Sequence, residues 1–322
     1  MKIDAMTFRN DPMLKLLLIS GTILLYLGVA AAYFDEWWHA DQRVETFFTL
    51  PHAVLYASIF LNGMLVLSYV LLQCNKIGRF APARIPGSSG LALAGTGSLF
   101  QLCAGLFDMV YHDLVGFDVS IWSPPHLLAI FGGVLSAVGF AGLWQKVSII
   151  GYIFASAAAV NFGQFALSEF FVDGAQFQSR FSTVPAYYPI LIGLIMGFVL
   201  TASWIQLGKS WATPILFLSF VTHVLVWAAW SPTKLSIEFS FPAAIFAAGV
   251  IADLWVRQKR IRNDFMIGLL FTALASSIIV WIAEASSFTL AQFLFAAAGS
   301  VAAAAAGYFL ASKLKEGEQY AQ

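Results

Sequence analysis

Four of the five histidines in this chain stand in two matching series with carboxylates. The first is Asp35-x3-His39-x5-Glu45-x6-His52 and the second is Asp108-x3-His112-x5-Asp118-x7-His126. On a helix, residues four apart share a face. Asp35 and His39, and likewise Asp108 and His112, can therefore reach a common point. The last histidine of each series follows a proline, Pro51-His52 and Pro125-His126. Proline suits the first turn of a helix, so each returning histidine is placed to face back toward the Asp-x3-His turn. Three protein ligands with open positions is the usual arrangement of a catalytic metal site. Nitrogen-rich ligation without thiolate suits copper, zinc or iron. Glu45 and Asp118 hold the same offset in the two series. They are either further ligands or, as we favour, acceptors that orient an imidazole N–H. One such histidine alone would more often be an interfacial hydrogen-bonding residue. Agreement between two copies, in a chain this poor in histidine, is what favours metal binding.

The elements that must position these residues are membrane helices. The chain has 322 residues, of which 60% are hydrophobic and only 11% charged, a balance far from that of a soluble domain. The net charge of zero gives no sign of nucleic acid as a partner. Cys74 and Cys103 form neither a disulfide framework nor a CxxC site. Ten apolar stretches are long enough to span: 13–33, 51–73, 89–110, 125–145, 148–169, 187–208, 211–230, 237–256, 265–284 and 289–311. The first is expected to be a retained helix rather than a cleaved signal, because it runs directly into the first series.

Lysine and arginine set the orientation. With the N-terminus inside, only Arg43, Arg180 and Lys234 of the 17 basic residues fall in outer segments. An even number of spans then places both termini in the cytoplasm and both histidine series at the extracytoplasmic side of the cytoplasmic membrane. The expected fold is an all-α polytopic membrane protein of about ten transmembrane helices, with a parallel hairpin repeat in its first half. Residues 1–146 form the repeated two-hairpin half, spans 1–4. Residues 147–322 form a second helical half, spans 5–10, of the same membrane domain. In that half His223, Glu169, Glu238 and Glu284 are candidate pathway residues, and His223 alone is as readily a satisfied core histidine. The last span is rich in small residues, which permits close helix packing.

The two series resemble the C subunit of the copper-containing membrane monooxygenases, the particulate methane and ammonia monooxygenases. That family carries an Asp-x3-His-x12-His copper site and, about 70 residues later, an Asn-x3-His-x13-His site. Asp35, His39 and His52 match the first; Asp108, His112 and His126 match the second, with Asp108 in place of the asparagine. Trp38-His39, Arg43, Glu45-Thr46, Phe48-Thr49 and Pro51-His52 are similar to the family's run around its first site. The resemblance covers residues 30–130. It implies copper as the metal, with iron and zinc as alternatives, and O2 activation toward a small apolar or neutral substrate. It also implies an oligomer with partner subunits. An external reductant would be needed, since no haem, flavin or iron–sulfur motif is present.

The expectation is thus a copper-dependent, monooxygenase-like oxidoreductase, or its metal-binding subunit, embedded in membrane lipid. Two other readings compete. A metal or small-molecule transporter would use the His/carboxylate site at its outer face and draw His223, Glu238 and Glu284 into a route inward. A noncatalytic assembly subunit would hold a structural metal with Glu45 and Asp118 among the ligands.

Overall fold

The computed structural model describes residues 10–40, 49–115, 123–165, 212–230 and 289–320, with isolated positions between 246 and 254. The regular structure of the described residues is helical. In chain order the helices are α1 (Pro12–Ala40), α2 (Leu50–Ile77), α3 (Ser88–Val115), α4 (Pro124–Trp144), α5 (Ile149–Phe165), α6 (Ala212–Trp230) and α7 (Leu290–Tyr320), with a 3-10 turn at Pro82–Arg84. Five of them, α1 to α4 and α7, are long and apolar enough to cross a membrane. The helices α5 and α6 are apolar but shorter. Expected spans 187–208, 237–256 and 265–284 lie wholly or largely outside the described residues, as do the connections 41–48 and 116–122.

Local chemistry explains the helix ends. Asp11 caps α1: its carboxylate accepts from Met13 N at 2.9 Å, and Pro12 takes the first helical position. The other oxygen of Asp11 accepts from Tyr69 at 3.1 Å and Gln73 at 3.0 Å, tying the start of α1 to the end of α2. Thr49 caps α2 through His52 N, and Gly78 closes that helix at φ 77°, where a side chain would be strained. Apolarity alone ended the first and third spans near residues 33 and 110. The helices run on to Ala40 and Val115, because hydropathy marks the bilayer whereas a helix continues as long as its backbone bonds do. This continuation keeps both Asp-x3-His turns helical.

The chain forms two compact units, Met1–Ala166 and Leu167–Gln322. In the first, α1 packs on α2, α2 on α3, α3 on α4, and α5 on both α1 and α4. The helix α5, assigned to the second half on sequence grounds, therefore packs within the first unit. The closest approach is between α3 and α4. A Cβ on Gly97 would lie 2.4 Å from Ser136 N and 2.5 Å from the Gly132 carbonyl; one on Gly139 would lie 2.4 Å from Ala94 N. Only glycine lets two helix backbones meet this way. At the other side of α4, the Trp144 indole donates to Thr22 Oγ1 at 2.8 Å, and Thr22 donates to the Leu18 carbonyl at 2.7 Å. In the second unit, Asp253 accepts from Thr213 N at 2.7 Å at the start of α6. Thr289 and Gln292 cap α7 reciprocally.

Candidate metal centre

The glycine contacts of α3 and α4 bring Asp108, His112 and His126 together at one end of the pair. Asp108 is 3% exposed. Its Oδ1 lies 3.1 Å from His126 Nε2 and 3.4 Å from His112 Nε2. One donor atom from each of the three residues falls within 4.8 Å of the others. The two imidazole rings stand 6.1 Å apart, tilted by 56°.

The distances of this cluster are those of a site that could hold a metal ion. Charge-assisted N–H···O bonds run about 2.7–2.9 Å, shorter than either contact. Among the described residues Asp108 Oδ1 has no hydrogen bond in good geometry, although it is buried. Two ligands held about 2.0–2.1 Å from a tetrahedral ion stand about 3.4 Å apart. A buried carboxylate oxygen facing two imidazole nitrogens at 3.1 and 3.4 Å is compatible with that edge, and the shorter contact also lies within the N–H···O hydrogen-bond range. The donor set of two nitrogens and one oxygen suits a borderline transition metal.

The first series is described in part. Asp35, near the end of α1, meets His52 at the start of α2, with Oδ2 to Nε2 at 3.0 Å. The side chain of His39 lies outside the described residues, and so do Glu45 and Asp118. His52 sits within electrostatic reach of Asp108.

Tyr56 lies close to both, and sequence reasoning missed it. Its ring lies 5.9 Å from that of His52, one helical turn earlier. It also presses on α3 at Gly105, where a Cβ would stand 2.4 Å from Cε1, 2.8 Å from Cζ and 3.0 Å from Oη. Both Asp35 and Asp108 act on it electrostatically. The only sequence signal was the four-residue spacing from His52. The second series has Ile130 at that offset, so comparing the copies pointed away from Tyr56.

His223 is buried within α6, in the second unit. Glu169, Glu238 and Glu284 lie outside the described residues. No family model, curated protein or solved structure matches the chain. The fold and site define an all-helical chain, with helices suited to a membrane, that carries a two-histidine, one-aspartate cluster able to hold a metal ion.

Proposed function

We propose that this protein is a metal-binding membrane protein, and more narrowly a copper-dependent, monooxygenase-like oxidoreductase or its metal-carrying subunit. One observation carries the reading: the convergence of Asp108 Oδ1, His112 Nε2 and His126 Nε2 from two different helices. Asp108, His112 and His126 would hold one ion. Asp35 and His52, joined by His39, would hold a second. Copper at such a site would supply one-electron chemistry toward O2. Asp108 supplies the negative charge that offsets a cation in an apolar setting. Gly97 and Gly132 keep its two histidine-bearing helices in register. The ten-span topology, the extracytoplasmic placement of both sites, the partner subunits and the external reductant belong to the same proposal, and the charge asymmetry and the spacing resemblance support them.

Metal analysis of the purified chain tests the reading. Wild type should carry copper, with a Cu(II) spin-resonance signal showing nitrogen couplings. Asp108→Ala and His126→Ala should each remove the ion of the second cluster while the elution volume and helical circular dichroism stay unchanged. A wild-type chain that binds no transition metal overturns the proposal. Binding of zinc alone would keep the metal site and overturn the oxidoreductase reading.

A further inference from the structure

The end of the first unit opposite the metal cluster carries a second feature. Between α2 and α3 runs an open, almost wholly apolar groove of about 760 Å³. Its walls are Phe60, Met64 and Leu67 on α2, and Ala92, Leu99 and Leu102 on α3. Phe60, Leu67 and Leu99 are each about half exposed, at 53%, 48% and 56%. The groove exists because the two helices meet through small residues: a Cβ on Gly63 would touch Ser98, and one on Gly95 would meet only Val66, at 3.6 Å. Both helices are among those long and apolar enough to cross a membrane, where such an opening would meet acyl chains.

The groove ends at the connection between the helices, where Pro82 and Ala83 close it and Ser88 and Ser89 line its mouth. That connection is basic. Lys76, Arg79 and Arg84 are all exposed there, and residues 70–90 contain no acid. Asp11, which meets the end of α2, is already bonded to Tyr69, Gln73 and the start of α1. Tyr69 and Gln73 are buried and are not among the groove's lining residues. Phe80, 75% exposed on the same connection, suits the boundary between headgroups and acyl chains.

We propose that the α2–α3 groove and its basic connection form a binding site for one anionic glycerophospholipid. An acyl chain lies along Phe60, Met64, Leu67 and Leu99. The phosphate is met by Arg79, Arg84 and Lys76, with the Ser88 and Ser89 hydroxyls beside it. Basic pockets between membrane helices bind anionic headgroups in this manner, while a neutral lipid satisfies only the groove. The site is independent of the metal cluster and of any reading built on it.

Native mass spectrometry of the full chain, purified in a mild detergent and titrated with phosphatidylglycerol or phosphatidylcholine, tests this. Wild type should retain one phosphatidylglycerol and release phosphatidylcholine. Arg79→Gln with Arg84→Gln should weaken phosphatidylglycerol binding by about 25-fold, roughly fivefold for each charge. Ala92→Phe, which fills the groove from an exposed lining position, should abolish retention even with all three cations present. Unchanged helical circular dichroism and elution volume establish that both variants fold. Equal retention of the two lipids, or undiminished binding in the double-arginine variant, overturns the proposal. So does displacement of the lipid by glycerol 3-phosphate at comparable concentration, which would make the groove irrelevant. A shift of Ala92→Phe to a different oligomeric state with lipid binding intact would assign the groove to a second copy of the chain and equally overturn it.

Discussion

A single methyl group at Gly97 should cost both folding stability and metal binding. Gly97 on α3 faces Ser136 N and the Gly132 carbonyl on α4, and a Cβ there would lie 2.4 and 2.5 Å from them. Ordinary contact is about 3.5 Å, so Gly97→Ala must drive the two helices apart by about 1 Å. Backbone atoms cannot swing away as a side chain end would. Overpacking of this kind costs about 1–3 kcal/mol. The same separation acts on the cluster, because Asp108 and His112 ride on α3 while His126 rides on α4. The 3.1 Å contact between Asp108 and His126 would then exceed the tetrahedral edge of about 3.4 Å. Disturbing the support of a metal ligand typically lowers affinity by about 10–100-fold, and that is the expected loss. Gly142→Ala is the matched control, since a Cβ at that position meets nothing within 4 Å; it should be neutral or slightly stabilising. Copper or zinc titration against a competing chelator, beside thermal unfolding in detergent, reads both effects. If Gly97→Ala binds metal and melts as wild type does, or if Gly142→Ala is equally harmful, the geometric argument fails.

Other outcomes follow from the same contacts. Imidazole must be unprotonated to ligate, so metal affinity should fall as pH is lowered, and a chelator titration across pH 5 to 8 should show protons taken up as metal leaves. Gly105→Ala should destabilise the chain by about 1–3 kcal/mol by striking the Tyr56 ring. Tyr56→Leu combined with it should recover part of that loss, and a thermal-stability cycle showing additive effects would deny the contact. Asp11→Ala removes a helix cap and two bonds to α2. It should cost about 1–2 kcal/mol while leaving the metal stoichiometry unchanged.

Local periodicity made several elements legible in advance. Asp108 and His112 are four residues apart, and any helix through them puts both on one face. The returning His126 was legible because proline announces a helix start. Apolar length alone located α1 to α4 and α7. Where apolarity and helix part company, the reading fell short. It ended the first and third spans before their helices end. Hydropathy also says nothing about which neighbour a segment packs against, so the packing of α5 on α1 and α4 came from the structure alone.

The sequence by itself therefore determined the histidine and carboxylate types, their placement on helix ends and the apolar length of the elements. These depend on the chemistry of each residue and on the helical repeat. The tertiary structure decided which oxygen faces which nitrogen, that Tyr56 packs beside His52 and against Gly105, and that α2 and α3 leave a groove open while α3 and α4 close to backbone contact. Those features depend on the distance between helices. That distance is set by pairs such as Gly97 with Gly132, 35 residues apart in the chain. No single helix carries the information, because each glycine acquires its meaning only from the backbone it meets.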